Sequence, residues 1–386
     1  MAERKEQLRN LLGATEAEIE QLVCNGQGIL NRRDIVGAYG PKLALLQERL
    51  GISKTAVGRL FLKKNRLLGS SLETMENRLD WLQARLDLNK AQLLKILGRR
   101  ADVLTLSTED NVEPSLDNIQ SVLELSDKEL TKMIVKQPDL LLNNFSSIDK
   151  LAARLSFLQD SLRIEGGDIT KLRKVILRGP EILHWPEESM LETKQWLKNR
   201  FAFENSKCAQ MCSIFPPLLA SKIGTLDKRA NDIQKELALD DEELKKMISD
   251  YPFLLGKSVK DNMRPKVDYF RVTFSLDAEG VKGLLLRYSN LFGCSIEKNL
   301  EPKVQFYSNL AGEVVAKEAI LKNPNLLLAS MKRRLAPRLA DVAVQDGKIK
   351  WTRTLLIRLA KRTDAQWIAY GLGDAPRGGG RSRKKT

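Results

Sequence analysis

The sequence predicts an all-α fold, a helical-repeat solenoid of about nine helix–turn–helix units. Two observations support this. A segment in which a proline precedes leucines recurs at near-constant spacing, and the apolar residues between its copies follow helical spacing. The Val/Ile/Thr alternation that is typical of strands is absent. Because one helix pair cannot bury its own apolar face, neighbouring units must stack.

The clearest copy of the repeat is Met133–Leu142, in which Pro138 is followed by Asp139 and three leucines. Aligning the chain on this proline gives nine anchor positions with gaps of 35 to 42 residues. Five anchors are prolines and four are small or polar residues. In chain order they are Gly26, Asn65, Ala101, Pro138, Pro180, Pro216, Pro252, Ser289 and Pro324.

Each unit is predicted to contain two helices, and we call them the first and the second helix. Ser126 with Glu129, and Thr15 with Glu18, have the spacing of a capping box, so a first helix begins at each pair. The first helix ends at the anchor, because the residue before proline is disfavoured in the α region. A second helix is predicted to begin near prolines that follow the leucines, namely Pro41, Pro114, Pro265, Pro302 and Pro337.

These patterns predict five segments along the chain. They are a polar lead-in (1–10), divergent repeats (11–122), well-formed repeats (123–345), a basic C-terminal capping helix (346–372) and a disordered basic tail (373–386). No transit peptide or secretory signal is visible at the start, and no apolar run is long enough to span a membrane.

The positive charge is concentrated at the C-terminal end. The formal net charge is +15, and residues 331–386 hold 15 Lys/Arg and 4 Asp, which leaves +4 for residues 1–330. An excess of positive charge on a repeat protein suggests a polyanionic partner, although a tail that only aids solubility is the alternative.

Residues for catalysis or metal binding are scarce. His184 is the only histidine, and Cys208 and Cys212 are spaced i, i+4 without a second pair for zinc. We interpret His184 as structural and the two cysteines as a packed, reduced pair. Sequence motifs of phosphate loops, hydrolases and kinases are absent. We therefore predict a protein that is not an enzyme, with no cofactor and no metal.

One column of residues, two positions before each anchor, is unusually basic. Stacking would align its six basic members as a positive stripe suited to a phosphate backbone. The alternative is that these side chains only solvate helix ends and complement the helix dipole. Neighbouring aromatics at Phe61, Tyr251, Tyr288 and Phe292 are candidates for base stacking or for the core. The stripe residues are Lys63, Arg99, Lys136, Arg178, Arg287 and Lys322.

The repeat resembles that of the mitochondrial transcription termination factor (mTERF) family. The resemblance rests on the basic-x-Pro-x-Leu-Leu turn and on Pro-Lys-Val near the start of the second helix, as at Pro265–Val267 and Pro302–Val304. It covers roughly residues 11–345. It implies a left-handed superhelix in which the leucine turn is a short 3₁₀ helix.

The resemblance also implies a function in the gene expression of mitochondria or chloroplasts. Family members hold double-stranded DNA in a basic groove to terminate or regulate transcription. The alternative is structured RNA or protein scaffolding in rRNA maturation, ribosome assembly or intron splicing, with a possible protein partner. We expect a monomer without a membrane partner. Besides the stripe, the expected contacts are basic residues of the last helices, namely Arg333, Arg334, Arg338, Arg353, Arg358 and Arg362.

Overall fold

The computed structural model describes residues 1–25, 28–64, 66–142, 145–344 and 351–361. The chain divides into two compact units, Met1–Ala220 and Ser221–Thr386. Within the described residues every regular element is helical, and none of these helices is long and apolar enough to cross a membrane.

The described residues of the first unit form thirteen α-helices. In order, α1 to α7 are Ala2–Leu12, Glu16–Asn25, Ile35–Leu50, Lys54–Lys63, Arg66–Gly69, Leu72–Leu86 and Lys90–Arg100. Helices α8 to α13 are Glu113–Val122, Asp127–Lys136, Ile148–Leu162, Ile169–Arg178, Glu187–Phe201 and Asn205–Ile214.

The second unit contains α14 to α21. In order, these helices are Ile223–Glu236, Asp241–Asp250, Arg264–Phe274, Ala278–Arg287, Glu301–Ala311, Glu313–Lys322, Ala336–Val344 and Arg353–Lys361. Helix α21 packs against α19, and it is the described part of the capping helix predicted over 346–372. The predicted tail over 373–386 lies outside the described residues.

The anchor residue opens a 3₁₀ turn wherever the structure describes it. Pro138 begins the turn Pro138–Leu142, and the degenerate anchors Ala101 and Ser289 begin Ala101–Thr105 and Ser289–Gly293. Gly26 and Asn65 lie outside the described residues. Proline fits at the start of such a turn because its missing N–H would have no partner there.

The core of each repeat combines the first helix, the turn and the second helix. Around Pro138, α9 buries Leu130 and Met133, the turn buries Leu140 and Leu141, and α10 buries Leu158. Each fully buried leucine contributes about 1.5–3 kcal/mol relative to an exposed one. The core therefore runs through the repeats and stabilises each turn from both sides.

Most first helices begin at side-chain caps, as the spacing indicates, whereas α13 and α19 have none. The Glu129 carboxylate accepts hydrogen bonds from the Ser126 backbone N–H at 3.0 Å and from its hydroxyl at 2.7 Å. Glu18 accepts the equivalent bonds from Thr15. Asn89 with Gln92 forms a further capping box in α7. These bonds satisfy orphan donors at the helix starts.

Four of the prolines lie at the second residue of a second α-helix, as predicted, but a π-helical turn precedes each of these α-helices. Pro114, Pro265, Pro302 and Pro337 each lie seven residues after a serine, and a π-helical turn fills the interval between serine and α-helix. Pro41 lies inside α3, seven residues after the capping Asp34. The start is set by the Ser or Asp side chain, which accepts a backbone N–H. The wider π turn accommodates proline, which has no backbone N–H to donate.

Most second helices end at a residue in the left-handed conformation. Glycine occupies this position in α1 and α3, at Gly13 and Gly51. Non-glycine residues occupy it elsewhere, as at Ala202 after α12, with φ 50°. A left-handed residue satisfies the last carbonyls of the helix but costs about 1–2 kcal/mol when it carries a Cβ.

Basic side chains tie several second helices to the turn of the following repeat. Lys42 donates to the carbonyl oxygen of Leu68 at 2.7 Å, and Lys303 donates to that of Leu327 at 2.5 Å. We call these residues the tether column. Arg4, Arg78, Arg154 and Arg229 donate to the equivalent turn of the next repeat. We include Arg338, which instead donates to Leu359 within α21.

The tether side chains are charged groups held away from water. Lys42, Arg154 and Lys303 are buried, and burial lowers the pKa of each. Burying such a group is costly unless it is hydrogen-bonded. The carbonyl bonds offset that cost, so the tether stabilises the fold only as a complete pair of donor and acceptor.

Replacing Arg154 tests the tether. Its guanidinium donates to the carbonyl oxygens of Ile182 and Trp185. Arg154→Met keeps the apolar stem but leaves both acceptors without this donor, so we expect the free energy of unfolding to fall by about 2–3 kcal/mol. Lys150→Met, on the exposed face of the same helix, is the matched control and should change it by less than about 0.5 kcal/mol. Urea denaturation measures both, and equal effects would contradict the tether role.

The left-handed end of α12 gives a second stability test. Ala202 is exposed, so Ala202→Gly removes backbone strain without removing a packed side chain. Because glycine also loses more entropy on folding, the expected net gain is about 0.5 kcal/mol. Ala152→Gly, at an exposed interior position of α10, should instead lose about 1 kcal/mol. Thermal unfolding of the two variants should therefore shift in opposite directions.

Candidate nucleic-acid interface

The predicted stripe residues lie at the C-terminal ends of first helices. Each is the last residue of its helix, except Arg99, which is followed by Arg100 in α7. Each is exposed. The first unit holds Lys63, Arg99, Lys136 and Arg178, and the second unit holds Arg287 and Lys322.

Three stripe side chains also contact helix-end carbonyls. Lys136 donates to the carbonyl oxygen of Arg178, and Arg178 donates to that of Ser213 at 3.4 Å. Arg287 donates to Gly283 of its own helix at 3.0 Å. These bonds are the helix-end role that the sequence left as the alternative. They do not saturate the side chains, because an ammonium has three N–H donors and a guanidinium five.

Arg99 is held by a carboxylate. Its Nε lies 3.0 Å from Asp139, and Arg100 contacts the other oxygen of that carboxylate at 3.3 Å. Asp102 similarly joins Arg100 to Lys64, at 3.0 and 3.1 Å. These pairs link one repeat to the next beneath the surface, and they reduce the charge that Arg99 presents to a ligand.

The structure adds basic residues that the stripe prediction missed. The residues ten and six positions before each anchor lie on the same helix face as the stripe residue. Successive members of this set are one helical turn apart. On four consecutive first helices, α4, α7, α9 and α11, nine of these twelve positions are basic and none is acidic. We call the nine exposed residues the cationic rows: Arg59 and Lys63; Lys95 and Arg99; Lys128, Lys132 and Lys136; Lys174 and Arg178.

The cationic rows border two open grooves of the first unit. A groove of about 900 Å³ lies between α7 and α9 and is lined by Lys95, Lys132 and Lys136. A second groove of about 670 Å³ lies between α11 and α13 and is lined by Lys174 and Arg178. Asp87 and Asp127 also line the first groove and Glu165 lines the second, but basic residues outnumber acidic ones in both. A concave surface with an excess of positive charge attracts anions. The missed residues could have been found from the repeat alignment by reading every position on this helix face.

The candidate stacking aromatics belong to the interior. Phe61 and Phe292 are completely buried, which assigns them to the core. Tyr251 and Tyr288 are half-buried, and Tyr251 packs against Phe253. Among the described residues, the exposed large apolar side chains include no aromatic ring. The described surface therefore offers no aromatic platform for an unstacked base.

The predicted C-terminal residues differ in how accessible they are. Arg333 and Arg353 are exposed, whereas Arg358 is half-buried. Arg334 donates to the carbonyl oxygen of Ala360 at 3.0 Å. Arg338 is 3% exposed and donates to Leu359 at 2.7 Å, so it belongs to the tether column and is not available to a ligand. Arg362 lies outside the described residues.

The residues set aside as structural are packed in the first unit. Cys208 and Cys212 are fully buried free thiols, and burial raises the pKa of Cys212 to about 12. His184 lies 3.3 Å from the Gln137 amide nitrogen, beside the pairs formed by Asp139. The described ranges contain no cluster of three potential metal ligands.

Comparison with known families identifies the repeat. A family model described as mTERF matches residues 6–171 and 162–281. Together the two matches span well over half of the chain, and they confirm the predicted all-α helical-repeat fold and its resemblance. A comparison with curated protein sequences finds no significant match.

His184 gives a pH test of this region. Burial, aided by Arg99, Arg154 and Arg100, lowers its pKa against the opposing effect of Asp139. The unfolded chain therefore binds a proton more readily, and stability falls as the pH drops through 6.5 towards the lowered pKa. His184 is the only histidine, so few other groups titrate in this range. Thermal unfolding at pH 7.5 and 5.5 should show a larger loss for the wild type than for His184→Gln.

Proposed function

We propose that this chain, which belongs to the mTERF family, binds double-stranded DNA to terminate or regulate transcription in a mitochondrion or chloroplast. The family in general comprises nucleic-acid-binding proteins of organellar gene expression. The cationic rows are the proposed contact surface in the first unit. They combine the predicted stripe with the additional positions on the same helix faces.

The observation that carries the proposal is the one-sided charge of these helix faces. Nine of the twelve equivalent positions hold exposed basic residues, and none holds an acidic residue. Lysines and arginines that neutralise phosphates release condensed counter-ions, which supplies most of the non-specific affinity for a duplex. The neighbouring acids, such as Asp139 and Glu129, are paired with arginines and lie off the row positions.

The chemistry of the surface favours a duplex over a single strand. Proteins that hold single strands stack bases on aromatic side chains, and the aromatic side chains of the described residues are all buried or half-buried. Lysines repeated at i, i+4 along α9 are instead about 6 Å apart along the helix, so they form a line of point charges. Such a surface contacts backbone phosphates and does not read base edges.

Structured RNA is the alternative ligand, because an A-form duplex offers the same phosphate chemistry. Protein scaffolding has less support. Exposed large apolar side chains such as Leu191, Val272 and Val314 lie on different helices. Scattered apolar residues of this kind are normal on a protein surface.

The accessible residues outside the cationic rows remain secondary candidates for phosphate contact. They are Arg287, Lys322, Arg333 and Arg353. Arg334 and Arg358 are weaker candidates, since Arg334 is committed to Ala360 and Arg358 is half-buried. The basic sequence after residue 361, including Arg362, is proposed as a non-specific arm from its composition alone.

Neutralising two row lysines tests the proposal. Lys132 and Lys174 are exposed and lie on adjacent first helices. The double variant Lys132→Gln/Lys174→Gln should weaken binding to duplex DNA by roughly 30-fold at 0.15 M salt, because about two fewer counter-ions are released. Fluorescence anisotropy with labelled duplex DNA, duplex RNA and single-stranded DNA measures the effect and ranks the ligands.

The matched control places the same charge change on second helices. Lys150 and Lys228 are exposed on α10 and α14, and Lys150→Gln/Lys228→Gln should leave the affinity within about twofold. Equal losses in both double variants would refute the cationic rows as the contact surface. Tighter binding of duplex RNA than of duplex DNA would favour the alternative ligand.

A further inference from the structure

We infer that the duplex footprint is confined to the four cationic rows of the first unit and covers about one turn of the double helix. This inference rests on the proposed function and narrows it. A groove that used every repeat would instead contact a much longer duplex. The restriction follows from the residues that border the rows on either side.

The rows end abruptly at both edges. On α2, which packs against α4, the equivalent positions hold Glu16, Glu20 and Cys24, and both glutamates are exposed. On α13, beyond α11, they hold Ser206, Gln210 and Ile214, which are exposed and uncharged. Carboxylates repel phosphates and neutral residues release no counter-ions, so among the first helices of this unit phosphate contacts are favoured only between α2 and α13.

The four helices that carry the rows are direct neighbours. Lys64, next to the end of α4, pairs with Asp102 after α7, and Arg99 of α7 pairs with Asp139 after α9. Helices α9 and α11 are joined by the 2.6 Å bond from Arg173 to Glu129. Packed helices lie about 8–10 Å apart, so four of them span about 24–30 Å. That width is slightly less than the roughly 34 Å turn of B-DNA.

The number of charges agrees with this length. A duplex carries one phosphate per about 1.7 Å of axis, so about 30 Å carries roughly 18 phosphates. About half of these phosphates face one side of the duplex, which matches the nine exposed basic residues of the rows. With nine phosphate contacts, the slope of log affinity against log salt can be no steeper than about −8.

The second unit lacks an equivalent surface. On α15, α17 and α19 the nine corresponding positions hold three basic and four acidic residues. Lys246 is paired with Asp250 at 2.7 Å within α15. The acids on these faces are Glu242, Asp250, Glu279 and Glu318, so the stripe residues Arg287 and Lys322 stand beside carboxylates.

Two charge-matched triple variants of the full chain test the restriction. Lys95→Gln/Lys132→Gln/Lys174→Gln removes three charges from the rows, and Lys246→Gln/Arg287→Gln/Lys322→Gln removes three from the second unit. For a 28-base-pair DNA duplex at 0.15 M salt, the first should lose on the order of 100-fold in affinity and about 2.7 in salt slope. The second should stay within twofold. Unchanged thermal unfolding in each variant shows that the fold is retained.

Duplex length provides an independent readout. The salt slope of the wild type should be the same for duplexes of 16 and 28 base pairs, since both exceed the footprint. A slope that steepens with length, or an equal loss of affinity in the two triple variants, would overturn the confined footprint while leaving duplex binding intact. If the wild type binds neither duplex DNA nor duplex RNA at low salt, the proposed function itself fails.

Discussion

The fold depends on hydrogen bonds to backbone carbonyls where the first helix of each repeat ends. Each anchor that the structure describes follows a first helix and starts a 3₁₀ turn in the apolar core, as at Pro138 and Pro180. Buried backbone acceptors without partners are costly, so the last carbonyls of the turn need donors. In several repeats a lysine or arginine from the preceding second helix supplies such a donor, as Arg154 does for Ile182. The same bond that satisfies the turn also fixes the stacking of consecutive repeats.

This requirement divides the basic residues into two populations with different roles. Lys303 and Arg338 are buried donors, although sequence alone presents them as ordinary surface charges. Lys132 and Lys174 are exposed on the cationic rows. The net charge of +15 therefore does not measure the surface available to a polyanion, because part of it lies inside the repeat stack. Position within the repeat, and not residue type, decides which role a lysine has.

The sequence predicted the fold well because the signals that define it are local. Proline spacing and capping pairs such as Ser126 with Glu129 act within one helix, and the structure shows both. The π-helical turns before the second α-helices were not predicted, because they begin at a Ser cap seven residues before the proline. The site was only partly predictable. Whether Arg338 or Arg333 faces solvent depends on contacts with α21, which no local pattern encodes.

The tether column and the cationic rows occupy different positions of the repeat, so the ligand surface can vary independently of the fold. The tether column and the anchors hold the stack together, and the row positions are exposed and contribute little to packing. Charge at the row positions can therefore change from helix to helix without disturbing the fold. Helix α9 carries three lysines at these positions, whereas α15 carries one lysine and two acids on the same kind of helix. A repeat fold of this type can thus confine binding to some of its repeats, while the other repeats serve only to build the stack.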